Sequence, residues 1–369
     1  MRQHRICQKT QVTRTGQRIG CFGLEFPSLL MQVDLLLADL QRLARAAVRQ
    51  LKCLHFCTQN LRVKPRGFRN AGDSQYQMIQ SSDFWCHYQL FLVRALLNLG
   101  LMQNDPPPPI RQTDLLDPAR AAAFQAALGD PVTITTGAPL PPFFHQLYFW
   151  TPHAPDQLGR DGHPRVGGFI PDMDLPRRMW AGGRLEFHHH LLAGEPAIQT
   201  STLQSAARKD GRSGPLAFVT LRHEIHQSGR LCLTEWRDLV YREDPKSDTP
   251  KPVAPIAPPD ETRSREVVFN STLLFRYSAL TFNGHRIHYD LDYARNVEGY
   301  DGLVVHGPLL AQHLMLLAQE HLGPLKTFAF RATAPLMHFE TANLCWRNQE
   351  FWVRAPDGRQ CMAATATAA

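Results

Sequence analysis

The sequence lacks the features that mark membrane, secreted and metal-bound proteins. Its apolar stretches are interrupted by polar residues before they reach the roughly 20 residues that span a bilayer, and no apolar signal core follows the basic start. The eight cysteines form no recognisable disulfide framework, which is consistent with a reducing compartment. Cys53 and Cys57 lie one helical turn apart, but no second Cys/His pair follows at zinc-site spacing. We therefore expect no metal site and no membrane partner.

The basic character of the chain is confined to its beginning. The formal charge is +7, yet residues 1–105 hold 14 Lys and Arg against 6 acids, whereas residues 106–369 hold 26 against 27. A nucleic-acid binder needs a clustered basic face, so the near-neutral body predicts no nucleic-acid partner. No acid precedes Glu25, which would suit a transit peptide. We expect a cytoplasmic protein, with the mitochondrial matrix as the alternative.

Residues 1–109 are expected to form a basic extension that is either helical or disordered. Helical spacing of leucines covers Leu29–Leu54, a second apolar run covers Phe84–Met102, and Pro106–Pro109 closes the segment as a stiff linker. Because these residues differ in charge and composition from the rest, we expect that they can be removed without loss of fold.

Residues 110–243 are predicted to form a first α+β domain. Asp117 and Pro118 favour a helix start and Gly129 favours its end. Four apolar segments beyond it are typical of strands in an antiparallel sheet: Arg184–His188, Ala197–Thr202, Leu216–Ile225 and Cys232–Tyr241. His188–His190 cannot all face one ion on a strand, so we expect a partly exposed strand end. Residues 244–262, with six prolines between Asp244 and Glu261, form the predicted interdomain linker.

Residues 263–369 repeat the pattern and add most of the usable chemistry. Leu273–Thr281 is predicted to be a strand that ends at a tight Asn283-Gly284 turn. Pro308 suits the first turn of a largely buried helix that runs to about His321. Strands are then expected in four segments: Lys326–Thr333, Ala342–Arg347, Glu350–Arg354 and Met362–Thr367.

Between the predicted strand and the buried helix, a short stretch combines an amide, imidazoles and a glycine-led helix start. His288 is a candidate proton carrier, because an imidazole titrates near neutrality. The helix that begins at Gly307-Pro308 offers free backbone N–H groups and a favourable dipole to a developing negative charge. Asn283 can orient a water molecule but cannot accept its proton.

The segment Thr281-Phe-Asn-Gly-His-Arg-Ile-His-Tyr-Asp290, followed by Val305-His-Gly-Pro308, resembles the motif of the MaoC-like, hotdog-fold enoyl-thioester hydratases and dehydratases. The resemblance is closest to their two-domain branch, which contains mesaconyl-CoA hydratase and the type 2 hydroxyacyl-thioester dehydratases. It implies an α+β double hotdog, in which two helices are each wrapped by a curved antiparallel sheet. It also implies a non-catalytic first domain and a catalytic second one.

The same resemblance assigns roles to residues. His288 matches the catalytic histidine, Gly307 matches the glycine whose N–H faces the thioester carbonyl, and Asn283 stands where the family has an aspartate. Substrate contacts are expected from four neighbours, His285, Arg286, Val305 and His306. No cofactor is implied beyond the CoA or acyl-carrier-protein thioester itself, and a homodimer is expected.

These residues predict a hydro-lyase that hydrates an enoyl thioester such as mesaconyl-CoA or dehydrates a 3-hydroxyacyl thioester. Two other function classes stay open at this point. A hotdog thioesterase would use the same substrate but normally needs a carboxylate where Asn283 stands. A non-catalytic acyl-CoA-binding scaffold is favoured if His288 is paired away from the groove.

Overall fold

The computed structural model describes residues 106–211, 214–244 and 253–369. The predicted helices within residues 1–105, the Cys53/Cys57 pair and residues 245–252 of the proline-rich linker lie outside the described residues. None of the described helices is long and apolar enough to cross a membrane. The three described cysteines, Cys232, Cys345 and Cys361, are free and buried.

The first half of the described chain contributes one helix and five strands. They are β1 (Ile110–Leu115), α1 (Pro118–Leu128), β2 (Arg177–Phe187), β3 (Pro196–Gly211), β4 (Gly214–Gln227) and β5 (Arg230–Arg242). The helix starts and ends where the sequence predicts, since Asp117 accepts a hydrogen bond from the Ala119 N–H and Gly129 adopts the left-handed conformation. His188–His190 follow β2 and are exposed, as expected of a strand end.

The second half contributes three helices and five further strands. They are β6 (Arg263–Val268), α2 (Ser271–Leu280), α3 (Leu291–Asn296), α4 (Gly307–Leu322), β7 (Leu325–Ala332), β8 (Thr341–Arg347), β9 (Glu350–Arg354) and β10 (Gln360–Ala368). The helix predicted from Pro308 and the four strands after it are confirmed.

All ten strands form one sheet in the order β1-β3-β4-β5-β2-β7-β10-β9-β8-β6, so the halves join edge to edge where β2 pairs antiparallel with β7. Two glycines of β2 allow its close approach to both neighbouring strands, β7 and β5. A Cβ at Gly182 would lie 2.4 Å from the Phe330 carbonyl oxygen, and one at Gly183 would lie 2.6 Å from the Trp236 carbonyl oxygen. Only residues without a side chain fit at this point.

Burial in strand β4 and helix α4 shows where the core lies. Along β4, alternate residues from Ala217 to Gln227 are buried, as in a strand with one face on the core. Helix α4 is buried along most of its length and packs on β7, β9 and β10. The sheet thus wraps the helix whose first turn carries Gly307.

The predicted strand Leu273–Thr281 is wrong, because these residues belong to helix α2. Leu274, Tyr277 and Ser278 are buried at helical spacing, and the Asn270 side chain accepts a hydrogen bond from the Leu273 N–H as N-cap. A nine-residue apolar run fits either element, and here the packing of α2 on α1 decides the outcome. The motif therefore follows the end of a helix, not the end of a strand.

Candidate active site

The site forms where three segments of the second half meet. Helix α2 ends at Thr281, a 3-10 turn covers Arg286–His288, and Val304–His306 leads into α4. The Val304 N–H donates to the Ile287 carbonyl at 3.0 Å, which holds the last two segments together. Side chains from all three segments consequently face one another.

His288 is buried and held in a single tautomer. Its Nδ1 lies 2.7 Å from the Val304 carbonyl oxygen, which can only accept a hydrogen bond. Nδ1 therefore carries the proton, and Nε2 of the neutral ring carries the lone pair. No described residue forms a hydrogen bond to Nε2, and this atom is not completely buried. Nε2 is thus the ring nitrogen of His288 that can accept a proton.

His306 supports the ring of His288 from behind. The two imidazoles stack with their centroids 3.6 Å apart and their planes 19° apart. His306 has no exposed surface, its Nε2 lies 2.8 Å from the Ser278 hydroxyl, and its Nδ1 is buried without a described partner. This stacking fixes the plane of the His288 ring.

The environment keeps these imidazoles neutral near pH 7. Burial lowers the pKa of His288 to about 4, although the hydrogen bond to Val304 acts in the opposite direction. Burial, followed by repulsion from His288 and Arg178, lowers the pKa of His285 to about 2. Burial also holds the pKa of His306 well below its usual value. A neutral His288 can accept a proton at Nε2.

Gly307 opens helix α4 without a side-chain cap. His306 occupies the N-cap position, and its side chain accepts no hydrogen bond from the first turn. The first N–H groups of a helix have no partner within it, so this turn can bind an oxygen that gains negative charge. A Cβ at Gly307 would lie 3.6 Å from Trp180 of β2, so the first half covers this helix start.

Asn283 is engaged in the local turn. Its Oδ1 accepts a hydrogen bond from the His285 N–H at 3.0 Å, and its own N–H donates to the Ser278 carbonyl at 2.8 Å. The side chain therefore shapes the loop that carries His285. A direct role for Asn283 in catalysis stays a prediction.

The other predicted substrate contacts lie close by and mainly touch the protein. Arg286 forms an ion pair with Asp290 at 2.7 Å and lies over the Tyr293 ring. Val305 is buried, and its N–H donates to the Leu336 carbonyl at 2.8 Å. His285 faces His288, with ring centroids 5.4 Å apart and planes nearly perpendicular. Of the four, His285 is best placed to reach a ligand near His288.

The hydroxyacyl-thioester dehydratase type 2 family, Htd2, matches residues 143–338, which is more than half of the chain. The chain belongs to this family. It is 47% identical over 254 residues to mesaconyl-C(4)-CoA hydratase of Chloroflexus aurantiacus, which covers 67% of this chain and 89% of the relative. It is 27% identical over 235 residues to the mitochondrial type 2 hydroxyacyl-thioester dehydratase of Schizosaccharomyces pombe, which covers 56% and 77%. The predicted family and hydro-lyase class are confirmed.

A solved structure supports the fold of this Htd2 member. The crystal structure of HtdX from Mycobacterium tuberculosis has a TM-score of 0.51 at 14% identity and covers 71% of this chain and all of that one. Together with the joined sheets wrapped around helices, this confirms the α+β double hotdog.

A loop of the first half of this Htd2 chain lies against the site, although no sequence motif indicated it. The Arg286 N–H donates to the Asp161 carbonyl at 2.9 Å, and the His163 ring lies 4.6 Å from that of His285. Two glycines allow this approach, since a Cβ at Gly162 would lie 2.0 Å from the Gly284 carbonyl oxygen. The only sequence signal was the pair of loop glycines, which does not reveal its partner.

A cavity of about 160 Å³ opens beside the C-terminal end of α2. Thr281 and Phe282 line one side, and the other side belongs to the first half, including Trp150 and Arg237. His288 is not part of its wall. The cavity offers room next to the motif.

Proposed function

We propose that this protein reversibly hydrates an enoyl thioester, with mesaconyl-CoA as the leading substrate. One observation carries the proposal. Within the segment that matches the family, a neutral histidine with a free Nε2 stands beside an uncapped helix start. That combination supplies a base and an oxyanion site, which are the two requirements for chemistry next to a thioester carbonyl.

The proton step is assigned to His288. C2, the carbon next to the thioester carbonyl, loses or gains a proton when water leaves or adds at C3. Nε2 of His288 takes that proton in dehydration and delivers it in hydration. The hydrogen bond from Nδ1 to Val304 and the stack on His306 hold the ring in place during the transfer.

The oxyanion step is assigned to the first turn of α4. The thioester oxygen gains negative charge as the C2 proton leaves. N–H groups at Gly307 and in the following turn would hold that oxygen, and such donors are often worth about 3 kcal/mol in the transition state. Trp180 covers this helix start and would help exclude water from the thioester.

Arg178 supports the proposal that the acyl group of the substrate carries a free carboxylate. Its neighbour Arg177 pairs with Glu298 at 2.6 Å, whereas no carboxylate of the described residues lies within ion-pair distance of Arg178. Repulsion from the Arg178 guanidinium is one of the causes that lower the pKa of His163 and of His285. A mesaconyl group carries a second carboxylate that could pair with it.

Further features of the proposal concern carrier, assembly and compartment. The carrier is proposed to be CoA, with acyl-carrier protein as the alternative, and the protein is proposed to act as a homodimer without a cofactor. A reducing compartment, cytoplasm or mitochondrial matrix, is supported by the free cysteines of the described residues.

A substrate panel tests this function. Purified protein would be mixed with crotonyl-CoA, mesaconyl-CoA and long-chain enoyl-CoA thioesters, while hydration is followed by absorbance and hydrolysis by release of free thiol. We expect hydration without hydrolysis. Thiol release as the main reaction would support a thioesterase, and binding without turnover would support a scaffold.

The variant Arg178→Gln tests which acyl group the protein recognises. If Arg178 binds the second carboxylate, the variant should raise KM for mesaconyl-CoA about tenfold or more and leave KM for crotonyl-CoA nearly unchanged. Arg184→Gln, which alters another arginine of β2, is the control. Equal losses on both thioesters would remove Arg178 from substrate recognition.

A further inference from the structure

A loop of the first half, residues 159–163, lies against the motif of the second half. The Arg286 side chain donates to the Arg160 carbonyl at 3.2 Å, and the Arg286 N–H donates to the Asp161 carbonyl at 2.9 Å. The backbones of Gly162 and Gly284 approach so closely that neither position has space for a side chain. The contact is therefore built into both loops.

This contact brings one carboxylate and two imidazoles together. One ligand-type atom from each of Asp161, His163 and His285 lies within 4.8 Å of the others. No described residue hydrogen-bonds to the ring nitrogens of His163 or His285, and none of these nitrogens is sealed from solvent. Three polar atoms at such spacing can all reach one water molecule, because each hydrogen bond spans about 2.8 Å.

We infer that Asp161, His163 and His285 form the second acid–base group of the reaction and hold the water that adds to or leaves C3. The inference rests on the proposed function. Asn283 cannot take a proton, and its Oδ1 accepts a hydrogen bond from the His285 N–H. The Asp161–His163–His285 group would therefore perform the proton transfer at C3 that Asn283 cannot.

The positions of the groups suit neighbouring carbon atoms. His285 lies between the loop and His288, with a ring-to-ring distance of 5.4 Å. The inference requires a substrate whose C2 lies at Nε2 of His288 and whose C3 and oxygen point toward His285. Asp161 and His163 come from the half of the chain that was expected to be non-catalytic.

The protons balance across both groups. In dehydration the C2–H bond breaks and its proton passes to Nε2 of His288. The C3–O bond breaks, and the departing hydroxyl takes a proton from the Asp161–His163–His285 group and leaves as water. Hydration reverses both transfers, and no oxidant or reductant takes part. Burial raises the pKa of the Asp161 carboxyl, which favours a carboxyl able to give and take a proton.

Two variants and a matched control test the inference. Asp161→Asn and His163→Gln keep size and hydrogen-bonding capacity but remove proton transfer. Asp156→Asn makes the same chemical change five residues earlier, in an exposed turn. Each protein would be assayed for hydration of mesaconyl-CoA and for exchange of the C2 hydrogen of methylsuccinyl-CoA, its saturated counterpart, in deuterated water.

We expect Asp161→Asn and His163→Gln to lower kcat for hydration about a hundredfold, in the range of a lost general acid–base group. C2 exchange should stay near the native rate, because that step needs only His288 and the helix start. Asp156→Asn should be native in both assays. Melting temperatures would show that the variants are folded.

Other outcomes overturn the inference. Native-like hydration by Asp161→Asn and His163→Gln would exclude the group from the reaction, and equal loss of hydration and exchange would assign it a structural role only. If the purified native protein contained a stoichiometric divalent metal, the three residues would be assigned as metal ligands and not as a water-binding group. If the native protein hydrates no thioester at all, the proposed function itself fails, which is a separate result.

Discussion

Each half of the double hotdog starts a helix against the sheet, but only one of these starts is free to act on a ligand. In the first half, the Asp117 carboxylate accepts a hydrogen bond from Ala119 and occupies the start of α1. In the second half, the His306 side chain forms no cap bond at the start of α4. A capped start contributes stability, whereas an uncapped start leaves its N–H groups to a substrate oxygen.

The candidate site of the second half is also completed by residues of the first half. Trp180 of β2 covers Gly307, and the 159–163 loop lies against the His285 segment. The two halves thus contribute different parts of the candidate site. The second half contributes His288 and the uncapped start of α4, and the first half contributes Trp180 and the 159–163 loop.

The largest effect should come from removing the base of the second half. His288→Ala is expected to lower kcat for hydration a hundredfold or more, because it removes the positioned proton acceptor. The Val304 carbonyl also loses its donor, so the variant should lose about 1–3 kcal/mol of stability while remaining folded. Steady-state kinetics and thermal melting measure both effects.

His189→Ala serves as the control for this variant, since His189 is exposed beyond the end of β2. Near-normal hydration by His288→Ala would mean that the chemistry lies elsewhere, and the acyl-CoA-binding scaffold would become the better explanation.

The second-largest effect on activity should come from adding a methyl group at the uncapped start of α4. A Cβ at Gly307 meets Trp180 at an ordinary van der Waals distance, so Gly307→Ala should fold with a nearly native melting temperature. Its methyl group would nevertheless hinder the approach of the thioester oxygen to the N–H groups, and kcat/KM should fall about tenfold or more. Gly168→Ala, at a position with open space, should change neither quantity. Unchanged kinetics in Gly307→Ala would argue against an oxyanion site at α4.

Acid should destabilise the protein through the imidazoles of the site. An unfolded histidine has a pKa of about 6.5, whereas burial lowers the pKa of His288 to about 4 and that of His285 to about 2. Below pH 6.5 the unfolded chain therefore binds protons that the folded chain excludes, and the free energy of unfolding should fall as the pH decreases toward 4. Melting temperatures at pH 8, 6.5 and 5 measure this.

In His285→Gln this loss between pH 6.5 and pH 5 should be smaller, because one buried imidazole is absent. An identical pH dependence in the variant and the native protein would contradict the assigned cause.

The smallest effect should come from the capped helix start. Asp117→Ala should lower stability by about 1 kcal/mol through loss of the N-cap and leave kcat unchanged, because the Asp117 carboxylate bonds within its own helix start. Asn270→Ala removes the matching cap of α2, which leads into the site loop, so it should lower both stability and kcat. A clear loss of kcat in Asp117→Ala would show that the division of tasks between the two helix starts is incorrect.

Part of this molecule follows from short-range sequence. The Asp117-Pro118 start and Gly129 end of α1 use interactions between residues a few positions apart, and so does the start of α4 at Gly307-Pro308. Strand β4 shows the alternate burial that its apolar pattern indicates. The motif around His288 was recognisable because its residues are consecutive in the chain.

Tertiary structure decided what depends on partners far away in sequence. Leu273–Thr281 could form either a strand or a helix until α1 supplied the surface on which it packs as α2. The tautomer of His288 depends on the Val304 carbonyl, and its pKa depends on burial, which no local pattern encodes. Asp161 and His163 reach His285 only because two loops from different halves touch through glycines. The sequence determined which groups are available, and the fold determined which of them meet.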